Sequence, residues 1–227
     1  MELIALVPMK GVSERVPNKN MRLFDGEPLF FKILKTLLQV PTVRTIAVNT
    51  DSAAIKNAIQ RHFPTVKVID RPVSLQGNNV QMNRILEYDM GLLEGRYFLQ
   101  THATNPLLTP STLSKAIDSF FHGLAEGHDS LFSANVIQSR LYDAQKRPIN
   151  HSLDALVNSQ ELTPIYEENS NIFIFSRESF LRRKHRIGSK PIIFEMSRIE
   201  GVDIDYEDDF RIAESVYAWR KEAEKTQ

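Results

Sequence analysis

The stretch Leu3-Ile4-Ala5-Leu6-Val7-Pro8 decides the fold class of this chain. It is a continuous apolar run, too short for a helix and ended by a proline, which is typical of a strand buried on both faces. Similar short runs follow at residues 45–48, 66–69 and 97–100. Helical periods of apolar residues separate these runs, at residues 28–38, 52–62 and 80–93. Strands that alternate with helices in this way predict right-handed βαβ units and a mostly parallel sheet.

The alternation continues to about residue 135 and then breaks. Pro110 opens a further predicted helix, and residues 130–134 form a further predicted strand. Residues 138–166 are polar and show no strong period, so we expect an insertion, arm or flap there. The remaining predicted elements are two strands and a helix, at residues 171–175, 192–195 and 210–222. The pattern as a whole predicts one α/β sandwich domain over residues 1–227.

The composition narrows the function before any motif is considered. Of the 227 residues, 42% are hydrophobic and 25% are charged, with Lys+Arg and Asp+Glu both at 28. A formal net charge of zero argues against a partner that is a nucleic acid or an anionic membrane. With no cysteine, the chain has no disulfides, thiolate metal sites or thiol nucleophiles. The start is not a signal peptide, and no apolar run approaches the roughly 20 residues of a membrane span, so we expect a soluble cytoplasmic protein.

The loop after the first strand carries the strongest chemical signal. Residues 8–20 read Pro-Met-Lys-Gly-Val-Ser-Glu-Arg-Val-Pro-Asn-Lys-Asn, with three cations, a glycine and a hydroxyl. In an open parallel sheet, ligands bind outside the carboxyl ends of the strands, which is where this loop begins. Backbone N–H groups and Lys or Arg side chains are what a phosphate cradle needs. The loop matches neither GxxxxGK[ST] nor GxGxxG, and the alternative is a solvated loop that is basic by chance.

Two acidic residues before the last helix form the second candidate. If residues 201–205 (Gly-Val-Asp-Ile-Asp) are extended, Asp203 and Asp205 point the same way, with their Cα atoms about 6.5–7 Å apart. Such a pair can share a hard divalent cation, since Mg²⁺ takes only one or two protein carboxylates and fills its other positions with water and phosphate oxygens. The alternative is a strand end whose acidic residues favour the start of the following helix.

The third candidate is the segment His102-Ala103-Thr104-Asn105-Pro106-Leu107-Leu108, which follows the fourth predicted strand. It clusters hydrogen-bonding side chains where a substrate would sit, although a capped turn explains it equally well. His102 is the best placed of the six histidines. No Ser/His/Asp triad and no His-rich metal spacing is apparent, so neither kind of site is predicted.

Taken in chain order, these segments resemble the acylneuraminate cytidylyltransferase family, the CMP-sialic acid synthetases and their relatives for other nonulosonic acids. The family's first loop has the form P-A-R-x-x-S-K-x-x-P-x-K-N, which corresponds to residues 8–20. Its Q-P-T-S-P-L-R is echoed by residues 102–108, its E-N-G-x-I-Y-I by residues 168–174 and its D-I-D by residues 203–205. Three shorter matches complete the series: Gly26 with Pro28 and Leu29 for G-x-P-L, Thr50-Asp51-Ser52 for S-T-D-S, and Arg71-Pro72 after the third strand. The resemblance spans nearly the whole chain.

The resemblance implies a three-layer α/β/α sandwich with a mostly parallel sheet, of the nucleotide-diphospho-sugar transferase-like (Rossmann-like) type. The implied reaction joins CTP and an acidic α-keto sugar to give a CMP-sugar and pyrophosphate. The anomeric hydroxyl of the sugar attacks the α-phosphorus, and pyrophosphate leaves. Mg²⁺ or another divalent cation is the implied cofactor, and residues 138–166 would reach across a homodimer.

The resemblance also implies roles for individual residues. Catalysis would be mainly electrostatic and positional, and would rest on Lys10, Arg15, Lys19 and Asp203. The nucleotide would be bound by Lys10, Ser13, Asn20, Arg71, Asn78 and Val80. The sugar would be bound by His102, Thr104, Asn105 and Asn169, and the metal by Asp203 and Asp205.

The chain departs from the family pattern at several of these positions. The family's first-loop Arg is Lys10, and its next Lys is Glu14, although Arg15 can supply the missing cation. The other departures are Leu108 for the Arg of P-L-R, Glu167 for an Arg before E-N-G, Asn78 for an acid and His102 for a Gln. Two lost arginines would weaken binding of a sugar carboxylate, unless Arg140, Arg177 or another cation substitutes. We therefore expect an acceptor other than ordinary N-acetylneuraminate.

Two other functions stay open at the level of the sequence. A nucleotidyltransferase of the same fold could act on another sugar or on a polyol phosphate, which the two lost arginines would permit. A nucleotide-binding module without turnover would explain Glu14 in a phosphate loop and Asn78 in place of an acid. Asp203 and Asp205 argue against that module, because binding alone does not need a metal pair.

Overall fold

A seven-stranded sheet forms the centre of the molecule, in a computed structural model that describes residues 2–77 and 79–225. In chain order the strands are β1 (Leu3–Leu6), β2 (Leu23–Phe24), β3 (Glu27–Pro28), β4 (Val43–Thr50), β5 (Lys67–Asp70), β6 (Tyr97–Gln100), β7 (Ser130–Ile137), β8 (Ile165–Ser176) and β9 (Pro191–Met196). The helices are α1 (Phe30–Leu38), α2 (Ala53–His62), α3 (Met82–Gly91), α4 (Pro110–Ala125), α5 (Arg177–Arg183) and α6 (Glu207–Lys225). The sheet order is β5-β4-β1-β6-β8-β7-β9, and β2 and β3 pair separately.

The sheet is mostly parallel, which confirms the prediction from the strand–helix alternation. β1 pairs in parallel with both β4 and β6, β4 pairs in parallel with β5, and β7 with β9. β8 runs antiparallel to both of its neighbours, β6 and β7. The antiparallel direction follows from residues 138–164, which connect β7 to β8 as a long hairpin with Ile137 opposite Ile165.

Apolar residues cover both faces of the sheet, because the central strands alternate between two cores. In β1, Leu3 and Ala5 belong to a core shared with α1, α2 and α4. Ile4 and Leu6 belong to a second core, shared with α3 and α5. Helices on both faces make the three-layer α/β/α sandwich that was predicted. Among the described residues, no helix is both long enough and apolar enough to cross a membrane.

A third core attaches the last helix to the loop after β1. Phe210 of α6 packs with Val16, Phe24 and Ile204, all four fully buried. Val16 belongs to the first loop, and Ile204 lies between the two candidate metal ligands. This core therefore brings together two segments that carry candidate site residues from opposite ends of the chain.

Several elements differ from the sequence prediction. β7 and β8 extend well beyond residues 130–134 and 171–175, because their outer ends pair with each other and need no apolar period. The last two residues of the predicted insertion at 138–166 therefore belong to β8. Helix α5 was not predicted; it has only seven residues, and the Ser176 hydroxyl caps it by accepting from the Ser179 N–H. The small β2–β3 hairpin was also not predicted.

Candidate active site

A cavity of about 500 Å³ opens at the carboxyl ends of β1, β5 and β6. Open parallel sheets bind their ligands at this edge. The predicted site residues in its lining are Lys10, Ser13, Arg15, Lys19, Asn20, Arg71, Val80, His102, Thr104, Asp203 and Asp205. Asn105 and Asn169 lie outside this lining, and Asn78 lies outside the described residues.

The first loop is anchored at several points rather than solvated along its length. The Gly11 N–H donates to Asp51 Oδ1 over 2.7 Å, which ties the loop to the residue after β4. Asn20 Nδ2 donates to the Lys10 carbonyl at 2.9 Å, and Val16 is fully buried. The cations of the loop are thus held at the cavity wall, an arrangement that favours a phosphate cradle over a loop that is basic by chance.

Gly11 stands where a side chain has no room. A Cβ added at this residue would lie 2.9 Å from the Ser52 Cβ. Ser52 caps α2, since its hydroxyl accepts from the Ile55 N–H at 3.3 Å. The close approach packs the first loop directly on the start of α2 and so sets the loop's height above the sheet.

Asp203 and Asp205 face the same cavity, as the extended conformation predicts. Ile204 between them is fully buried against Val16. Their segment is not a strand of the sheet, which differs from the strand considered in the sequence analysis. Instead, the Ile204 N–H donates to the Thr104 carbonyl at 3.0 Å. This bond holds the acidic segment against the loop that follows β6.

Opposite charges meet between the first loop and the acidic segment. Arg15 Nη2 donates to Asp205 Oδ1 at 2.7 Å, and Lys19 Nζ lies 3.6 Å from the same oxygen. Lys19 also donates to the Ile204 carbonyl. Burial lowers the pKa of Lys19, and the charge of Asp205 opposes that change. The two segments therefore form one electrostatic unit, although Lys19 and Ile204 are 185 residues apart.

Asp203 has a side-chain oxygen in the cavity wall that the described part of the protein leaves unpaired. Its Oδ1 atom is buried and has no hydrogen-bond partner among the described residues. Burial raises the pKa of Asp203, and a hydrogen bond with the Thr104 side chain opposes the rise. A buried carboxylate oxygen without a donor is costly unless a ligand satisfies it.

The donor set of this pair fits a hard divalent cation. The described ranges contain no group of three or more His, Cys, Asp or Glu side chains that could hold a metal ion. Mg²⁺ needs no such group, because one or two carboxylates suffice when phosphate oxygens and water complete its shell. Asp203 with its unpaired Oδ1 and Asp205 beside it meet that lower requirement.

Arg71 reaches the cavity from a buried polar network behind β4. Its Nε donates to Asn49 Oδ1 at 2.6 Å, and its Nη2 donates to the Asn49 carbonyl at 3.0 Å. Asn49 Nδ2 in turn donates to Asp89 Oδ1 at 2.5 Å. Burial raises the pKa of Asp89 to about 7, opposed by the Asn49 hydrogen bond and the Arg71 charge. The guanidinium of Arg71 is thus oriented before any ligand arrives.

His102 lines the cavity as a neutral ring. Its Nε2 lies 2.9 Å from Nε2 of Gln100. Burial lowers the pKa of His102 to about 3, and the charges of Arg186 and Lys19 lower it further. A ring with this pKa is a hydrogen-bonding group at neutral pH and a weak proton acceptor.

Asn105 and Asn169 position the acidic segment instead of reaching the cavity. Asn105 Nδ2 donates to the Val202 carbonyl at 3.3 Å. Asn169 Nδ2 donates at 3.0 Å to Asn135 Oδ1, the oxygen that a Cβ on Gly201 would approach to 2.3 Å. These amides pack against the backbone just before Asp203 and use their Nδ2 donors there, while Asn105 Oδ1 is buried without a partner among the described residues.

Arg186, which no motif marks, also lines the cavity. Its Nη1 donates to Gln100 Oε1 at 2.6 Å, and its guanidinium lies 3.5 Å from the centre of the Phe173 ring. Arg140 and Arg177, the cations considered as substitutes from the sequence, bond to backbone carbonyls outside the cavity. Arg186 follows α5, a helix that the sequence pattern did not predict, so its place could not be read from the chain.

Comparison with known proteins gives a family match over nearly the whole chain. A family model described as Cytidylyltransferase matches residues 4–225. The chain is 23% identical over 221 residues to the N-acylneuraminate cytidylyltransferase of Streptococcus agalactiae serotype V, covering 92% of this chain and 52% of that protein. The chain thus spans about half the length of this curated relative.

Two further comparisons match over full lengths. The CMP-N,N'-diacetyllegionaminic acid synthase of Legionella pneumophila is 24% identical over 232 residues, covering 98% of this chain and 99% of that protein. The solved structure of CMP:2-keto-3-deoxy-manno-octonic acid synthetase complexed with CTP superposes with a TM-score of 0.70 at 13% identity. That superposition covers 97% of this chain and 100% of the other, and it demonstrates a shared fold.

Proposed function

Since the chain belongs to the cytidylyltransferase family, we propose that it joins CTP to an acidic α-keto sugar of the nonulosonic, sialic-acid-like class. The products are a CMP-sugar and pyrophosphate. The observation that carries the proposal is a single cavity in which a cationic loop faces two carboxylates. A triphosphate needs the cations, and the metal that accompanies it needs the carboxylates.

The first loop is proposed to bind the phosphates of CTP. Lys10, Arg15 and Lys19 line the cavity beside the backbone N–H groups of the loop. Arg15 is half-exposed and pairs with Asp205, so it can turn from that carboxylate to an incoming phosphate at little cost. Ser13 and Asn20 add hydrogen-bonding groups on the same wall, and Arg71 with Val80 lines the part expected to hold ribose and base.

Asp203 and Asp205 are proposed to hold Mg²⁺ or another divalent cation. The unpaired Oδ1 of Asp203 supports this assignment, since burial makes an uncompensated carboxylate costly. When bound, the cation neutralises charge on the phosphates and on the departing pyrophosphate. The positive charge would also keep Asp203 ionised, against the effect of its burial.

In the proposed reaction, the anomeric hydroxyl oxygen of the sugar forms a bond to the α-phosphorus of CTP. The bond from that phosphorus to the bridging oxygen breaks, and pyrophosphate leaves with the electron pair, while the hydroxyl proton passes to solvent. The residues of the chain position both substrates and stabilise the charge of the transition state. His102 contributes hydrogen bonding on the sugar side, because its low pKa makes it a poor general base.

The acceptor is proposed to be a nonulosonic acid other than ordinary N-acetylneuraminate. The named relatives act on an N-acylneuraminate and on N,N'-diacetyllegionaminic acid, which are both acidic nonulosonic sugars. Leu108 and Glu167 stand where the family has arginines, so the carboxylate must be bound in another way. His102 and Thr104 line the cavity on the expected sugar side.

A cytoplasmic homodimer is part of the same proposal. Residues 138–166 would reach across to the second copy. Leu153 and Leu156 in this segment are 71% and 90% exposed, which leaves apolar side chains available for a partner surface.

Pyrophosphate release tests the proposed reaction. Each of the four nucleoside triphosphates is supplied with Mg²⁺ and a pool of α-keto sugar acids, and we expect release with CTP. Release only with sugar phosphates or polyol phosphates would instead indicate the related nucleotidyltransferase. No release with any nucleotide, with CTP binding still seen by calorimetry, would indicate a binding module. A clear preference for N-acetylneuraminate over the other acids would contradict the proposed acceptor.

A further inference from the structure

A buried polar chain runs from Arg186 through Gln100 to His102. Arg186 Nη1 donates to Gln100 Oε1 at 2.6 Å. Gln100 is fully buried at the end of β6, and its Nε2 lies 2.9 Å from His102 Nε2 and 3.2 Å from the Thr101 carbonyl. Both ends of this chain, Arg186 and His102, line the cavity.

The chemistry of Arg186 determines which atom donates in the two hydrogen bonds that join Arg186, Gln100 and His102. A guanidinium has donors and no acceptor, so the oxygen of the Gln100 amide must face Arg186 and the NH₂ group must face His102. His102 Nε2 is therefore the acceptor of that hydrogen bond. In a neutral imidazole the proton must then lie on Nδ1. His102 is therefore a hydrogen-bond donor through Nδ1–H, and its Nε2 already accepts from Gln100.

Arg186 itself is a buried cation whose charge the protein compensates only in part. Its side chain is 15% exposed and stacks on Phe173. The carboxylate that faces it, Glu168, is 3.5 Å from Nη2, a long and weak contact. Beyond these two contacts, the Arg186 guanidinium donates no other hydrogen bond in the described ranges, and the backbone N–H of Arg186 donates to Asn83 Oδ1 at 3.3 Å. Burial lowers the pKa of Arg186 to about 10, which still leaves it charged at neutral pH.

His102 locates Arg186 relative to the phosphate loop. Arg186, Lys19 and His102 line the same cavity, and the charges of both cations lower the pKa of the His102 ring. Lys19 belongs to the wall proposed to bind the phosphates, and Arg186 bonds to Gln100, which contacts His102 on the proposed sugar side. A planar guanidinium has five N–H donors and matches a carboxylate with two parallel hydrogen bonds, and the contacts with Gln100 and Glu168 use two of the five.

We propose that Arg186 binds the carboxylate of the acceptor sugar, and that through Gln100 it holds His102 as an Nδ1–H donor to the same substrate. The proposal rests on the proposed function for the identity of the acceptor. Arg186 would supply the positive charge that is missing at Leu108 and Glu167, although it follows a different element of the fold. Arg186 is thus a specificity-determining residue, and Gln100 is a positioning residue.

The experiment combines a change in the residue with a change in the charge of the substrate. Pyrophosphate release is measured for the unmodified enzyme and for Arg186→Met, each with the accepted sugar acid and with its methyl ester. We expect Arg186→Met to lower kcat/KM about 100-fold for the acid and less than about threefold for the ester, with KM for CTP nearly unchanged. Arg186→Lys should be intermediate, because it keeps the charge and loses the fork. Arg182→Met is the matched control, since Arg182 is exposed on α5 and pairs with Glu178.

A second readout needs no turnover. In histidine-labelled protein, ¹⁵N NMR should report the Nδ1–H form of His102, with the signal assigned by its loss in His102→Gln. The Nε2–H form would overturn the proposed role of Gln100. If Arg186→Met lowered kcat/KM equally for acid and ester, or raised KM for CTP, the carboxylate assignment would be wrong. The proposed cytidylyl transfer would not be affected by that result. An unmodified enzyme that accepts only phosphorylated or neutral sugars would refute the proposed function, and the carboxylate site with it.

Discussion

Among single residues, Asp203 gives the clearest expectation. Asp203→Asn keeps the size of the side chain and removes the charge beside the unpaired Oδ1. We expect kcat to fall about 100-fold and Mg²⁺ activation to weaken, because the substituted amide is a poor ligand for the cation. Stability should stay equal or rise at neutral pH, since burial disfavours the ionised form that the substitution removes. Pyrophosphate release over a Mg²⁺ titration, with thermal melts, measures both effects.

Asp208→Asn is the control for this substitution. Asp208 is exposed in the first turn of α6, so its loss should change neither kcat nor the Mg²⁺ requirement. If Asp203→Asn kept full activity with an unchanged Mg²⁺ requirement, the acidic segment would not be the metal site.

At the scale of elements, Asn49 and Asp89 join β4 to α3 and hold Arg71 after β5. The Asp89 pKa rises from its ordinary 3.8 to about 7 in the folded protein, chiefly because of burial. Between these values the folded state binds a proton that the unfolded state releases, so this group's contribution to stability falls as pH rises from about 4 to about 7. Asp89→Asn should therefore be more stable than the unmodified protein at pH 8, by at most about 4 kcal/mol, with a smaller gain at pH 5.

Thermal melts of both proteins from pH 4.5 to pH 8.5 measure this difference. The quantity of interest is the gap between the two curves, because other groups titrate in both proteins alike. A gap that does not change with pH would mean that Asp89 is ionised throughout and that its burial has no effect on its proton.

The same scale shows what the sequence could predict. The continuous apolar run that contains Leu3–Leu6 is a local pattern imposed by two cores, and it predicted β1 as a strand buried on both faces. The outer half of β8 is largely exposed at Tyr166, Glu167 and Glu168, so no apolar period marked it. Arg186 lies in the cavity lining because the chain after α5 passes there. Asn169 lies outside the lining, and its Nδ2 donates to Asn135 Oδ1. Such placements depend on contacts between distant segments and not on local spacing.

At the scale of the whole molecule, the proposed dimer predicts a mass of about twice 26.0 kDa in solution. Replacing Leu153 and Leu156 by Ser should shift the protein toward the monomer, because the two exposed side chains would lie in the interface. Light scattering coupled to size exclusion measures the mass. Leu92→Ser with Leu181→Ser is the matched control, since both are half-exposed outside residues 138–166. A monomer at every protein concentration would contradict the proposed role of this segment.

The third core has a consequence for how the protein is made. Val16 is translated early, while Ile204 and Phe210, which pack against it, follow 188 and 194 residues later. At about 5–20 residues per second, the first loop waits roughly 10–40 s for the segment that pairs with its cations. A nascent chain can complete most of the sheet in that interval, yet it lacks the carboxylates that face the loop. The proposed nucleotide turnover therefore requires that the acidic segment has been translated, and we expect a product truncated before residue 203 to lack it.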